Sequence, residues 1–456
     1  MTDREKMMEN ESIGKLLLKL SLPATIAMMV QALYNFVDTI FIGRGVGTLG
    51  IAAISIGFPI QMVVMAFGQM IGIGGASIIS RSLGAKDKDK AELTFGNMVS
   101  TGIAMGLIIT IFGSLFLDQL LSLFGATETI LPYAKDYMQV IIYGSVFFVL
   151  GMIFNNTVRA EGAANISMFS LLISAGMNII LDPIFIFTFD MGIRGAALAT
   201  VISQIIGFSF LLLYYLTNKG ILNFNFNPFK WNFKIIIETF AIGSSAFARQ
   251  VAGSVMAIVL NNLLAVYGGD LSIAIYGVIN RLIMFTLMPL FGVAQGYLPI
   301  SGFNYGAKKF DRVKEVMSLS MIVTSIFSTT GFIILQFFPH FLIGIFSKDL
   351  ELISQGAPAL RIASACIWVV GFQVIGSSLF QAIGKAGPAL ILSMSRQILI
   401  FIPMAFLMSN LFGLLGIWLS FPISDGLSAL ITLYFVLKEN KIMKTKIAND
   451  PVYSEK

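Results

Sequence analysis

Residues 51–90 read IAAISIGFPIQMVVMAFGQMIGIGGASIISRSLGAKDKDK. Residues 51–79 hold no charged side chain and show no alternation of polar and apolar positions. An apolar run of about 20 residues spans a bilayer as a helix, whereas a membrane strand alternates with a period of two. The stretch ends in a charged loop with Arg81, Lys86, Lys88 and Lys90. A crossing that ends in basic residues ends on the cytoplasmic side. The same pattern returns 222 residues later: Ile51-Ala52-Ala53 aligns with Ile273-Ala274-Ile275, and Gly84-Ala85-Lys86 with Gly306-Ala307-Lys308.

The whole chain agrees with this window. It has 456 residues, of which 56% are hydrophobic and 12% charged, with a mean hydropathy of +0.85. Soluble domains carry about 25% charged residues, so a soluble enzyme is excluded. Cys366 and His340 stand alone, which excludes a disulfide scaffold, a cysteine-rich metal site and His-rich zinc or haem chemistry. Reading apolar runs between charged or turn-rich breaks gives twelve spans, at 15–42, 51–79, 93–117, 134–157, 166–188, 193–216, 235–266, 271–303, 316–345, 357–383, 388–410 and 413–437. No cleavable leader is expected, because the first ten residues are polar and charged.

With an even number of spans, both termini share a side. That side carries 22 of the 30 basic residues and the other side only five: Arg44, Lys135, Arg194, Lys348 and Arg361. Both termini are therefore expected in the cytoplasm. The +6 charge marks membrane orientation, and no nucleic-acid partner is expected.

The expected fold is all-α: two six-helix lobes related by a pseudo-two-fold axis along the membrane normal. Residues 1–216 form the first lobe, 217–234 a cytoplasmic linker, and 235–456 the second lobe and tail. Two parallel repeats leave a cleft between them, which suits alternating access. One chain supplies both walls, so a monomer is expected.

A charge inside a membrane is costly and usually functional. Three acids lie well inside spans: Asp38, Asp182 and Asp425. Tyr34 precedes Asp38 by one turn, and Asn178 precedes Asp182 by one turn, so each pair shares a helix face. Tyr137, Asn155, Asn156 and Thr200 add polar company in the same lobe. The repeat makes this half special. Asp182 maps to the apolar Ile402, Pro403 and Met404, and span 7 offers Asn261 and Asn262 but no carboxylate. Carboxylates take a proton, or coordinate sodium together with amide and hydroxyl oxygens. Asp38 and Asp182 are thus candidates for proton or Na⁺ binding, and no other cofactor is expected.

Pro23 interrupts the helix that carries Asp38, so a bend there would turn ion binding into helix movement. Among the second-lobe polar residues, Arg281 is placed either beside Asp425 or in the cleft. Met28, Met29, Met62, Met65, Phe36, Met256 and Met284 are candidate cleft residues, since Met-rich and aromatic walls accept varied shapes, and Asn156 is a polar candidate for the same cleft.

These residues also resemble a known family. Leu20-Ser21-Leu22-Pro23 and Tyr34-Asn35-Phe36-Val37-Asp38-Thr39 resemble the first helix of the MATE (multidrug and toxic compound extrusion) transporters. So do Ser80-Arg81 with Gly84-Ala85, Arg159-Ala160-Glu161-Gly162, Asn178 to Pro183, and Gly195-Ala196-Ala197. The DinF-like and MepA-like prokaryotic branch is the nearest match. The resemblance implies secondary antiport in a prokaryotic plasma membrane: a small organic compound, often cationic, leaves while protons or sodium ions enter. It places the cation site at Asp38, Asn178, Asp182 and Thr200, with Tyr34, Tyr137 and Asn155 nearby, and the bending point at Pro23. A second-lobe sodium site is doubtful, since Glu238 only opens span 7 and span 8 has no acid. ATP is not the expected energy source, because no Walker motif is present.

Two rivals remain. A lipid-linked oligosaccharide flippase of the same wider superfamily would need a cationic cleft for pyrophosphate, against the acids of the first lobe. An intramembrane protease would need a His-Glu-x-x-His motif, or paired aspartates with their glycine motifs, and neither is found.

Overall fold

The computed structural model describes residues 2–223 and 231–448, leaving aside the side chains of Asn35 and Phe36. The middle of the linker, with Lys230, and the end of the tail, with Lys456, lie outside these residues, as does the side chain of the cleft candidate Phe36. The described residues are helical, with no strand among them.

Six crossings precede the linker. Span 1 is Ile13–Gly45, span 2 Thr48–Gly84 and span 3 Lys88–Leu115. Span 4 is a broken helix, Leu131–Tyr143 and Ser145–Ala160, bent by 51° at Gly144. Span 5 is Ala164–Pro183, prolonged by a wider π turn over Ile184–Thr188, and span 6 is Gly192–Leu216.

The second half reads at first as fewer helices. Phe233–Gly306 is a 74-residue helical stretch interrupted by one non-helical residue. At 1.5 Å per residue that is about 110 Å, several times the hydrocarbon thickness. It must therefore turn, and it does so at Gly269, with φ 63° and ψ −166°. Spans 7 and 8 are the two arms, 233–268 and 270–306. The long helix Ala386–Ala448 divides in the same way at Gly413, with φ 59°, into spans 11 and 12. Span 9 is Phe310–Phe337, and span 10 is the bent pair Leu350–Ala363 and Ile367–Ala382. Twelve crossings result among the described residues.

The two lobes repeat each other in backbone geometry. Gly269 lies 222 residues after Gly47, whose φ of 82° and ψ of −161° make the matching turn between spans 1 and 2. Only a residue without Cβ enters that conformation at no steric cost. Gly162 and Gly384, also 222 apart, have φ of 79° and 78°.

The lobes meet through a self-complementary crossing. Gly84 lies so close to the Phe303 carbonyl, and Gly306 to the Arg81 carbonyl, that a Cβ at either would collide. Each contact is the image of the other under the 222-residue shift, the intramolecular form of a two-fold interface. Gly296 against Ser21 and Gly74 against Thr239 extend the seam, and small residues let membrane helices approach in this way. Ser77 Oγ donates to the Gln381 carbonyl at 2.5 Å, and Arg81 pairs with Glu238 at 2.8 Å.

The N-terminal helix Asp3–Asn10 lies across this same end and touches both lobes. A capping box between Thr2 and Glu5 starts it. Arg4 donates to Tyr214 of the first lobe. Toward the second lobe, Glu9 pairs with Lys309 at 2.9 Å and Arg312 Nη2 donates to the Glu11 carbonyl at 2.8 Å. Met8 is buried between them at 2% exposure.

Further along, the lobes touch through the Phe67 and Phe247 rings, 5.1 Å apart, Gln250 with Met62, and Gln295 with Met28. Continuing each helix face by three- and four-residue steps leads to Phe58, Ile258 and Met284, which are 50%, 58% and 52% exposed. The named cross-lobe contacts thus gather toward the terminus-bearing end of the helices, and these three residues beyond them are exposed.

Candidate functional site

The acid pair forms at the junction of spans 1 and 5. These helices pack closely: Gly45 leaves no room for a Cβ against Ile186 and Phe187. Span 1 presents Tyr34 and Asp38 on one face, span 5 presents Asn178 and Asp182, and span 6 adds Thr200. Asp182 is 0% exposed and Asn178 2%. Asn178 Nδ2 donates to Asp182 Oδ1 at 3.2 Å and approaches Thr200 Oγ1 at 3.5 Å. The Asp38 and Asp182 carboxyls face each other within hydrogen-bonding reach once one carries a proton. Tyr34 and Tyr137 lie in the electrostatic neighbourhood of both acids. Gln61 Nε2 of span 2 donates to Tyr137 OH at 3.4 Å. Asp182 and Pro183 end the regular helix, and the π turn that follows is a form often found at functional sites.

The oxygens tell what the site can do. Asp38 Oδ1, Asn178 Oδ1 and Asp182 Oδ2 are all buried and receive no hydrogen bond from the protein. An unsatisfied buried acceptor is costly, and three together are rare in a packed interior. Such a set can hold a proton between two carboxylates, or a hard cation with two carboxylates and an amide oxygen. Among the described residues no group of three or more His, Cys, Asp or Glu converges. A site for a soft transition metal is therefore unsupported, while Na⁺, which accepts neutral oxygens, fits the donor set.

Several expectations need correction. Asn155 does not join the acids. It exchanges hydrogen bonds with Ser167, at the start of span 5 (Ser167 Oγ to Asn155 Oδ1, 2.6 Å). Ser167 stands fifteen residues before Asp182, which is about 22 Å along the helix. Asn156 does not line the cleft either: it accepts from Arg159 at 2.8 Å, donates to the Met152 carbonyl and packs against Gly72. Arg281 does not pair with Asp425, whose partner is Arg396, with Nε to Oδ1 at 2.6 Å. Gln373 donates to the Asp425 carbonyl from the other side. Met256 is partly buried against the main hydrophobic core.

Met28 and Met62 each meet a glutamine of the other lobe, Gln295 and Gln250, and Met65 is partly buried one turn beyond Met62. Arg281 and Met284 are exposed on the span 8 face that, lower down, meets the first lobe through Gly292. Pro23 is buried between Ser21 and Thr25, the two span 1 residues that touch Gly296 and Gly292 of span 8.

Gln61 is the partner the sequence reading missed. A signal existed: it is a polar residue within a span, and its repeat counterpart Ile283 is apolar.

Comparison with known proteins fits this architecture. The family model MatE matches residues 23–184 and again 246–407, one match in each lobe. The multidrug export protein MepA of Staphylococcus aureus is 32% identical over 428 residues, 94% of each chain. Crystal structures of a MATE protein in bent and straight conformations both superpose with a TM-score of 0.92. They are 25% and 24% identical in sequence; the bent form covers 98% of this chain and 99% of its own, the straight form 98% and 100%. Twelve crossings in two repeated lobes, matched along almost their whole length, place this chain in the MATE transporter family.

Proposed function

We propose that this protein exports small organic compounds, often cationic, by antiport against protons or sodium ions. The observation that carries this reading is the set of three unpartnered buried oxygens on Asp38, Asn178 and Asp182, gathered within the first lobe. The relatives named as multidrug exporters supply the substrate class.

In this reading the chain lies in a prokaryotic plasma membrane as a monomer with both termini in the cytoplasm, so the cleft opens outward. A cation entering from outside binds at Asp38 and Asp182 and neutralises the pair. Asn178 orients Asp182 through its amide, Thr200 supplies a hydroxyl oxygen, and Tyr34 and Tyr137 keep water away from the carboxyls. Neutralisation removes the repulsion between the acids and lets spans 1 and 5 close. Pro23 lacks the N–H that would tie it to the preceding turn. Ser21 and Thr25 hold the base of span 1 against span 8. The outer arm, with Asp38, can therefore swing about a fixed base and reshape the cleft. An organic cation and the coupling ion then compete for the same negative charge, and that competition couples their movements.

The flippase reading needs a cationic cleft throughout, and the buried acids of the first lobe weigh against it. Protein in proteoliposomes should export a fluorescent organic cation under an imposed proton or sodium gradient. Asp38→Asn and Asp182→Asn should each abolish that export while folded protein remains. Export at the wild-type rate in either variant overturns the proposed site.

A further inference from the structure

The first lobe carries a groove that this cycle does not use. Span 4 breaks at Gly144, which packs so closely on Val201 of span 6 that a Cβ there would collide. Around that point span 4 presents Val140, Tyr143, Gly144 and Phe147, and span 6 presents Arg194, Leu198 and Val201. Each set follows the three- and four-residue steps of one helix face. Between the two faces lies a groove of about 310 Å³. Tyr143 and Phe147 stand in it 55% and 38% exposed. Thr200 lies on another face of span 6 and turns to Asn178, so the groove is separate from the acid cluster. Neither Leu131–Tyr143 nor span 6 packs against a second-lobe helix, so the groove is separate from the seam as well. On a membrane-spanning helix, such an exposed apolar face meets lipid.

The two ends of the groove differ. At its floor the Phe147 and Phe208 rings meet, with centroids 6.3 Å apart. At its mouth stands Arg194, in the first turn of span 6. It lies seven residues before Val201, which is about 10 Å along the helix. That first turn is at the end away from the termini, where Gly192 approaches Val46 beyond span 1. Tyr143 OH accepts from Gln139 Nε2 at 3.0 Å, so its polar tip points toward the same end. Basic residues are scarce there. Lys135 is paired with Asp118 at 2.8 Å, and Arg361 donates to the Gln336 carbonyl at 3.0 Å. Arg194 has neither an ion pair nor a hydrogen bond among the described residues. A guanidinium fork suits phosphate oxygens, and an apolar slot below it suits hydrocarbon. A ligand that fills both parts carries phosphate at one end and an acyl chain at the other.

We propose that this groove binds an anionic phospholipid, with its phosphate on Arg194 and one acyl chain running past Leu198 to Phe147 across the break in span 4. The site needs neither a gradient nor a transported compound, so it stands apart from the export reading. Net headgroup charge decides the preference. A zwitterionic headgroup brings its own cation to the phosphate and gains less from Arg194.

The test uses purified full-length protein in phosphatidylcholine vesicles. The probes are phosphatidylglycerol and phosphatidylethanolamine with the same diazirine-bearing acyl chain. After illumination, mass spectrometry reads the label on peptides holding residues 140–147 and 194–201. Phosphatidylglycerol should label them about 5-fold more than phosphatidylethanolamine, the worth of one cation beside an anionic headgroup. Arg194→Gln should bring phosphatidylglycerol down to the phosphatidylethanolamine level. Arg194→Lys should stay within about 3-fold of wild type, because the charge remains. Leu198→Trp, which fills the slot, should lower labelling by both lipids. Should Arg194→Gln not fold, competition on the wild-type protein replaces it: excess unlabelled phosphatidylglycerol should suppress the label and excess phosphatidylethanolamine should not. Equal labelling by the two lipids would show ordinary boundary lipid and overturn the proposal. So would unchanged phosphatidylglycerol labelling in Arg194→Gln or Leu198→Trp, equal suppression by both competitors, or labelling no stronger here than on other lipid-facing helices.

Discussion

Gly47 and Gly269 make the same turn in the two lobes, and Gly162 and Gly384 the same connection, yet the acids of the two lobes live in opposite circumstances. In the first lobe, Asp38 and Asp182 face each other with no cation from the protein, and three oxygens of the cluster go without a donor. In the second, Asp425 is neutralised by Arg396 at 2.6 Å and its backbone is held by Gln373. The duplicated backbone needs little more than glycines at its turns and crossings. Side chains away from those points are free to diverge. The first-lobe acids lack a protein counter-charge among the described residues, and the second-lobe acid, at a different place in the repeat, has one. In the proposed reading, a functional charge and a structural charge are told apart by what faces them.

The largest effect should come from removing this difference. Asp182→Asn is expected to reduce gradient-driven export at least about 20-fold while melting at nearly the wild-type temperature, since the amide retains a partner in Asn178. Asp425→Asn should behave in the opposite way. Export per folded molecule should stay within about 2-fold of wild type, while stability falls by about 2–3 kcal/mol, because Arg396 loses its counter-charge. That estimate sits below the usual cost of about 3–5 kcal/mol for a broken buried pair, as Arg396 keeps 26% of its side chain exposed. Rates and melting temperatures of the two variants, measured side by side, check both halves. Matching behaviour would erase the proposed contrast.

Pro23→Ala is expected to slow turnover several-fold with little change in dye affinity, because it restores a backbone bond at the base of span 1 without touching the acids. Unchanged turnover would remove the lever.

A further contrast lies at the terminus-bearing end, where each lobe buries one carboxylate outside the membrane. Glu439 is paired with Lys385 at 2.5 Å. Glu161 instead accepts from Tyr215 OH at 3.0 Å and from the backbone N–H groups of Ile221 and Leu222, at 1% exposure. Burial pushes its carboxyl up to about 7, against a usual value near 4.5, in spite of those donors. The folded state therefore binds the proton more tightly than the unfolded chain, and stability falls as pH rises from about 4.5 to about 7, then levels off. Glu161→Gln should flatten that slope when melting is followed at several pH values; an identical slope would contradict it.

The smallest effect is assigned to the exposed cross-lobe pair. Glu238→Gln, opposite Arg81, should cost no more than about 1 kcal/mol, since both partners keep solvent contact. A modest rise in labelling of a cysteine placed at Ser80 would report the loosened seam, and unchanged labelling would assign closure to the glycine crossings alone.

Much of this was legible in the sequence because bilayers impose a simple grammar. Span length and apolar runs give the crossings, the repeat gives the lobes, and a carboxylate inside an apolar run stands out by its cost. Tyr34 with Asp38, and Asn178 with Asp182, follow from helical spacing alone. What failed depends on height and neighbours. Asn155 shares a lobe with the acids, and the sequence alone groups it with them. Spans 4 and 5 run in opposite directions, however, so the end of span 4 meets the start of span 5 and lies far from Asp182. Arg396 rather than Arg281 meets Asp425 because spans 11 and 12 are adjacent arms of one bent helix. Spacing within a helix cannot show which neighbour a side chain meets.

The most direct measurement is export of a fluorescent organic cation from proteoliposomes by wild-type protein and Asp182→Asn in parallel, with proton and sodium gradients imposed one at a time. The account predicts that at least one gradient drives the wild-type protein and that neither drives the variant. Gradient-driven export by Asp182→Asn at the wild-type rate would contradict it.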